Sequence, residues 1–498
     1  MIAQSWLCTV CGYIHHGDEG LASCPICDAG AELFTPHSRP STAPSAPVAH
    51  AWRCLNCDDI ASGDAPPPAC PVCGVDADRF TPHAESIRTG EKTSAPATIV
   101  IAGAGIAGVS AAAAARQQAP EASITLITRE PDLPYYRLNL TRYLAGEIPA
   151  ETLPIHPESW YSEQRIDVLR DTELQQIDRA AHQLYLKDGN SLSYDKLILA
   201  LGAHPIVPAI EGATRENIIA LRTRRDCAAI LARCTTGTRC VVVGGGVLGL
   251  ETAAALSRRG AKVQVLEGFG WLLPRQLNRA AGELLAATVR ELGIELFCNA
   301  RIKQFDGDQQ VCGVRLETGE LYPAELVVIA AGVRGNSYLA RMAGLEVNNG
   351  VVVDNRLRTS DPDIFAVGDV AEHQGVTYGT WAPAQFQGTI GGMNAAGAAL
   401  DFAGIPRSNI LKVLDVNLFS IGQVHPDDGS YHTFESLGKS DGSYRYLVFR
   451  DTRLVGAILI GDTGLASKLK QLIETNRCCT ELLAGASAEA LCTRIAAA

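Results

Sequence analysis

The sequence predicts an α/β protein: two doubly wound parallel-sheet domains of one kind, a small α+β domain after them, and two small cysteine-rich modules in front. Three observations predict it. A short apolar run followed by Gly-x-Gly-x-x-Gly and an alanine-rich stretch occurs twice, once in the segment that begins at Thr98 and once in the segment that begins at Arg239. The first 73 residues hold eight of the sixteen cysteines, all as Cys-x-x-Cys pairs. Beyond about Ile410, strand-like runs such as 446–449 and 454–459 precede a helical tail.

The first glycine motif organises the chain. Thr98 to Ala102 reads as a buried strand, Gly103-Ala-Gly105-Ile-Ala-Gly108 as a tight turn, and Val109 to Gln118 as a helix. This is the dinucleotide-binding fingerprint. Gly103 permits the turn, Gly105 lets backbone N–H groups approach a diphosphate, and Gly108 lets helix and strand pack closely. The helix N-terminus then offers unpaired donors and partial positive charge to the anion. A second strand, 124–128, ends at Glu130, whose carboxylate suits ribose hydroxyls. The nearly uncharged run 98–115 is long enough to suggest a membrane helix, but its glycines favour strand, turn and helix, so no membrane span is expected.

At 498 residues the chain has room for several domains and needs no disulfides to build a core. A formal net charge of −11 disfavours nucleic acid as a partner and permits docking against a basic protein surface. The N-terminus, MIAQSWLC, lacks the basic and apolar regions of a secretory signal, so a cytoplasmic location is expected. In a reducing compartment, cysteine-rich modules point to metal or redox chemistry.

Those modules are an internal repeat. Trp6, Cys8, Cys11, Cys24, Cys27, Phe34 and Thr35-Pro36-His37 recur 46 residues later as Trp52, Cys54, Cys57, Cys70, Cys73, Phe80 and Thr81-Pro82-His83. Each copy has only about thirty residues, too few for a self-sufficient core, so a bound metal would hold it together. Two facing Cys-x-x-Cys loops give a tetrahedral four-sulfur site, which suits zinc and iron alike. Pro-, Ser- and Ala-rich linkers at 38–49 and 84–97 follow the modules.

WLCTVCGYIHHG, then SCPIC and Phe34, resembles the short rubredoxin-type domain of rubrerythrins, in which four cysteines bind one iron. The second copy departs from it with Asp58-Asp59 where the first has Gly12-Tyr13, a change beside the sulfurs that leaves every ligand in place. Downstream, LPYYRLNLTRYLAGE (133–147) resembles the flavin-contacting segment of rubredoxin and ferredoxin reductases and of assimilatory nitrite reductases. That resemblance implies Arg137 and Arg142 beside FAD. Disulfide reductases of the wider superfamily carry redox cysteines in this region, but no cysteine lies between Cys73 and Cys227, which argues against a disulfide relay.

The segment YDKLILALGAHPIVP (194–208) resembles the family's crossover from the FAD domain to the NAD domain, with Gly202 at the turn. RCVVVGGGVLG (239–249) is the second fingerprint, with Gly244, Gly246 and Gly249. Its following strand, 262–266, ends at Glu267, where a carboxylate accepts from the adenine ribose and repels a 2′-phosphate, so NADH is expected over NADPH. Glu251 follows the last glycine by two residues, where the related reductases place an acid near the nicotinamide; a first-turn glutamate facing the helix dipole is the alternative. AAGVRGN resembles the crossover back to FAD, with Gly332, and TSDPDIFAVGDVAE resembles the family's FAD-binding segment, in which Asp369 of Gly368-Asp369 accepts from the ribityl chain. WAPAQFQG (381–388) resembles the helix passing near the isoalloxazine.

The resemblance as a whole implies two Rossmann-like dinucleotide-binding domains, for FAD and NAD, with fused rubredoxins. The expected domains are rubredoxin-like modules at 1–38 and 50–83, a linker at 84–97, an FAD-binding domain at 98–215 and 336–405, an NAD-binding domain at 216–335, and an interface domain at 406–498. The implied activity is NADH:rubredoxin oxidoreduction through FAD and two four-cysteine irons, with zinc as the alternative metal. Electrons would leave to a redox protein such as a flavodiiron protein, a rubrerythrin or a hydroxylase. An NADH oxidase acting at the flavin and a zinc-ribbon redox-sensing protein are the other readings. Cys478, Cys479 and Cys492 read as ordinary thiols, and the terminal acceptor and oligomeric state stay open.

Overall fold

A computed structural model describes residues 98–405 without a break, then 408–414, 416–426, 428–438, 442–485 and 487–497; before residue 98 it describes the strands within 5–83 and residues 65–66 and 77. The chain divides into two compact units. One is Thr89–Gly268 with Gly293–Gly404; the other is Met1–Arg88 with Phe269–Leu292 and Ile405–Ala498.

The first unit contains the two parallel sheets. In the first, the strands lie in the order Ile364–Ala366, Lys196–Leu199, Thr98–Ala102, Ser123–Ile127, Ile166–Leu169, every pair parallel. The second repeats the plan with Ile218–Ala220, Leu326–Ile329, Arg239–Val243, Lys262–Leu266 and Glu295–Phe297. Both fingerprint strands are central, which is why they read as unbroken apolar runs: a central parallel strand is covered on both faces. Each half also carries a three-stranded antiparallel sheet, 174–193 in one and 302–323 in the other. The outgoing and returning crossovers begin at Gly202 and Gly332, and their strands Ala203–Pro205 and Val333–Gly335 pair with each other.

The first fingerprint helix, Ile106–Gln118, starts directly after Gly105, three residues before the sequence suggests. Its alanines have a structural cause. Ala111, Ala112 and Ala115 are fully buried, and the helix lies against Trp381–Ala395. Gly388 and Gly392 of that partner face Ala107 and Ala111 so closely that a Cβ would sit 2.3 Å and 2.2 Å from their carbonyl oxygens. Both sides of the seam therefore need small residues. At the helix C-terminus, buried Arg116 donates to Gln164 O (2.7 Å), Pro120 O (2.8 Å), Ala122 O (2.8 Å) and Arg165 O (2.6 Å), satisfying carbonyls that no ladder reaches.

In the second unit, Ser408–Val413, Val416–Gly422, Arg453–Ile460, Tyr444–Arg450 and Tyr431–Leu437 form an antiparallel sheet in that order. Phe419, Phe449 and Leu459 join Leu469 and Leu491 of the two longer C-terminal helices in its core. Cys479 and Cys492 are buried there, while Cys478 is exposed and its thiol, held by the Thr452 and Thr480 hydroxyls, is lowered to about 7. The 46-residue repeat survives as strand register: Trp6 pairs with Pro36 and Cys8 with Phe34, as Trp52 pairs with Pro82 and Cys54 with Phe80. No helix among the described residues is long and apolar enough to cross a membrane.

Gly392→Ala puts a methyl against the Ala111 carbonyl. Thermal unfolding should show a loss of about 1–3 kcal/mol, the usual cost of overpacking a closed seam.

Candidate dinucleotide-binding site

The six fingerprint glycines divide by what they touch. Gly103 and Gly244 have φ of +111° and +109°, and a Cβ on either would meet a backbone carbonyl, Ala200 O at 2.1 Å and Ala330 O at 2.5 Å. A Cβ on Gly108 or Gly249 would lie 1.9 Å from Gly103 O or 2.0 Å from Gly244 O. The fold itself excludes side chains at these four positions. Gly105 and Gly246 are different. Their φ values of −74° and −78° suit any residue, and no described atom beyond the chain neighbours lies within 4 Å of a Cβ built on either.

These two middle glycines therefore keep space open that the described residues do not fill. Each is the N-cap of its helix without a side-chain cap. By contrast, Thr223 closes a full capping box on helix Arg224–Leu231, and Asn278 caps Arg279–Glu291 through Ala281 N. Open space, uncapped donors and a helix dipole together fit a diphosphate at both turns.

Around the first turn a charged cluster converges from distant segments. Tyr135 OH donates to Glu130 Oε2 at 2.6 Å, and Arg137 forms an ion pair with the same carboxylate. Arg137 Nη1 also donates to Tyr135 OH (3.0 Å) and to Arg222 O (2.9 Å). Burial alone would lower the Arg137 guanidinium, but Tyr135 and Glu130 outweigh it and hold it above its ordinary value. Burial drives the Tyr135 phenol well above its usual range, so it remains a donor. Glu130 is thus already engaged, with lone pairs left for a ribose.

Arg222 extends the cluster. Its Nη2 donates to Asp369 Oδ2 at 3.1 Å and lies 3.7 Å from where a Cβ on Gly202 would be. Gly368, at φ +75°, turns the chain into Asp369, and its N–H donates to Gln387 Oε1 at 2.8 Å. The sequence gives no signal for Arg222, whose partner is 147 residues away. Tyr135, Asn139 and Gln387 also escaped it. The last two are buried amides with atoms unpaired among the described residues: both polar atoms of Asn139, and Nε2 of Gln387. Orphaned amides beside a fingerprint turn fit a ligand with polar edges better than a closed core.

In the second half, Glu267 is buried and accepts from Gly245 N at 2.5 Å, so the strand-end carboxylate is tied to the fingerprint turn. Gly332 has φ +105° at the return crossover. Glu251 lies on helix Val247–Arg258, which packs against Leu140–Ala145, the helix carrying Arg142. Arg258 pairs with Glu147 and Arg259 Nε donates to Leu144 O, stapling the two helices together. Arg142 Nε lies 3.3 Å from Glu147 Oε2. The two arginines singled out from sequence therefore go to different places: Arg137 to the Glu130 cluster, Arg142 to the contact between the halves.

Of the eight cysteines in the modules, Cys8 and Cys54 stand on described strands. Cys11, Cys24, Cys27, Cys57, Cys70 and Cys73 lie outside the described residues, and with them the ligand sets. Four thiolates per module is a donor set that fits a tetrahedral iron.

Comparison with known proteins gives three family matches. The pyridine nucleotide-disulphide oxidoreductase model matches residues 97–388, more than half of the chain. The chain belongs to that family. The rubredoxin NAD+ reductase C-terminal domain matches 408–477, and the rubrerythrin rubredoxin-like domain matches both 6–35 and 52–81. Among oxidoreductases of this kind, the NADH-rubredoxin oxidoreductase of Clostridium acetobutylicum is 31% identical over 379 residues, 76% of this chain and 95% of the relative. Its solved structure superposes with a TM-score of 0.69 at 30% identity, covering 80% of this chain and 99% of that one. Nitrite reductase [NAD(P)H] of Bacillus subtilis is 32% identical over 76% of this chain but 47% of the relative. The chain spans less than half the length of such nitrite and nitrate reductase relatives, from 36% to 47%.

Two substitutions in one turn should separate the roles of the glycines. Gly105→Ala is expected to leave the melting temperature of the apoprotein unchanged while weakening dinucleotide binding. Gly108→Ala should lower the melting temperature, because its methyl has nowhere to go. Paired thermal melts and flavin titrations check both.

Proposed function

We propose that this chain is an NADH-dependent flavoprotein reductase that carries its own acceptors, passing electrons from NADH through FAD to the two rubredoxin-type modules and on to a separate redox protein. The observation that carries the reading is the pairing of two equivalent open glycine turns with two four-cysteine modules in one polypeptide. The 31% identity to an NADH-rubredoxin oxidoreductase and the rubredoxin-like matches support it. Bound FAD supplies the chemistry of exchange, taking a hydride as an electron pair and releasing electrons singly.

What the chain contributes is positioning and electrostatics. The turn at Gly103–Gly108 holds the flavin diphosphate on open helix donors, with Glu130, fixed by Tyr135 and Arg137, facing the adenosine ribose. Asp369, oriented by Arg222 and by the Gly368–Gln387 contact, accepts from the ribityl hydroxyls. The turn at Gly244–Gly249 holds NADH, whose adenine ribose meets Glu267. The packed helices bearing Arg142 and Glu251 define where nicotinamide and flavin ring approach each other. Cys8, Cys11, Cys24 and Cys27, and their repeats Cys54, Cys57, Cys70 and Cys73, each hold one iron. Two one-electron centres match the two electrons of one hydride. The acceptor beyond them is a flavodiiron protein, a rubrerythrin or a hydroxylase.

Metal and flavin content of anaerobically purified protein, with the spectrum followed during NADH addition, tests the path. One FAD and two irons per chain, bleaching together, are expected; zinc retained in both modules of native protein would remove the internal acceptors. Glu267→Ser should reduce the kcat/KM preference for NADH over NADPH by about tenfold or more, since it deletes both a ribose contact and the charge facing a 2′-phosphate.

A further inference from the structure

Asn139 is 1% exposed, yet neither its Nδ2 nor its Oδ1 has a hydrogen-bond partner among the described residues. A native fold rarely leaves a primary amide dry and wholly unpaired, because the desolvation cost is recovered only when something completes its hydrogen bonds. Its place suggests what does so. Asn139 ends the turn Arg137–Asn139 and precedes helix Leu140–Ala145. Behind it, Arg137 belongs to the Glu130 cluster and Tyr136 stacks on Trp381 with ring centroids 5.2 Å apart. Ahead of it, the helix packs on the one carrying Glu251. The amide thus stands between the diphosphate and ribose end of the first site and the contact with the second half.

A second orphan reinforces the point. Gln387 is fully buried, spends its Oε1 on Gly368 N, and leaves Nε2 unpaired. Among the described residues these are the two buried side-chain amides with unpaired atoms; Gln387 holds Gly368 and precedes Gly388, which faces Ala107 of the first fingerprint helix, and Asn139 follows Arg137 by two residues. Among the described residues neither the Asn139 donor nor its acceptor has a partner, so its ligand must supply an acceptor and a donor side by side. The pyrimidine edge of an isoalloxazine does, with carbonyl oxygens flanking an N–H.

We propose that the Asn139 amide hydrogen-bonds this edge of the bound flavin ring, fixing the ring and favouring its reduced form. The assignment rests on the flavin reading given above. A donor aimed at the ring carbonyls stabilises the electron density that reduction adds, so its loss makes the flavin harder to reduce.

The experiment uses apoprotein of the full chain, wild type and Asn139→Leu, with three readouts: melting temperature, FAD affinity by fluorescence quenching, and flavin midpoint potential by dye-equilibrated anaerobic titration. Asn139→Leu replaces an unpaired amide by an apolar group of similar size. It should leave the apoprotein at least as stable as wild type, weaken FAD binding about 10- to 100-fold, and move the potential negative. Asn139→Asp keeps the shape and replaces the donor by a carboxylate, which opposes the charge gained on reduction and should move the potential further in the same direction. Wild-type affinity and potential in both variants would overturn the inference and leave the flavin site standing. Weaker binding with an unmoved potential would overturn the ring contact in favour of the ribityl chain. Failure of the wild-type apoprotein to bind FAD would instead remove the flavin reading.

Discussion

Everything in the first unit depends on how closely backbone can approach backbone at the two fingerprint turns. At Gly108 and Gly249 the helix passes so near the preceding turn that a single methyl would overlap a carbonyl oxygen, at 1.9 Å and 2.0 Å. That approach aims each helix N-terminus at the space in front of Gly105 or Gly246. The small-residue seam of Ala107 and Ala111 against Gly388 and Gly392 extends the constraint. It brings the helix bearing Gln387 beside the first fingerprint, so a segment nearly three hundred residues away can hold the turn at Gly368 and Asp369.

Polar groups then divide into those the protein satisfies and those it leaves. Arg116 has its guanidinium donors on five backbone carbonyls and is purely structural. Glu130, Tyr135, Arg137, Arg222 and Asp369 share their charges across three segments of chain, with capacity left over. The Asn139 side-chain amide is left with no hydrogen bond made among the described residues. This gradient, from closed ledger to open one, runs toward the fingerprint turn and the contact between the halves, and the same surroundings that bury these groups exclude the water that would otherwise complete them.

Duplication appears at two scales and serves different ends. The two parallel sheets are one plan used twice, each with its central fingerprint strand and antiparallel insertion, and the paired crossover strands at 203–205 and 333–335 tie them together. The two cysteine modules repeat register for register, though their sequences differ beside the sulfurs. Such differences in the surroundings of equivalent ligands separate the potentials of otherwise identical centres.

Much of this was legible in the sequence because its causes are local. A strand, a glycine turn and a helix within twenty residues carry their own steric logic, and paired Cys-x-x-Cys loops carry their own coordination chemistry. Hence both fingerprints, the crossover glycines, the strand-end acids and the duplicated modules follow from the order of residues alone. Arg222 beside Asp369, the different destinations of Arg137 and Arg142, and the burial of the Asn139 amide with no partner among the described residues do not. Each depends on which distant surfaces pack against one another, and a sequence lists a side chain without saying what will shield it. The sequence by itself determined the fold class, the two glycine turns and the repeated cysteine spacing; only the tertiary structure decided which charges are already spent and which buried polar atoms find no partner among the described residues, because desolvation is a property of the packed surroundings and not of the residue.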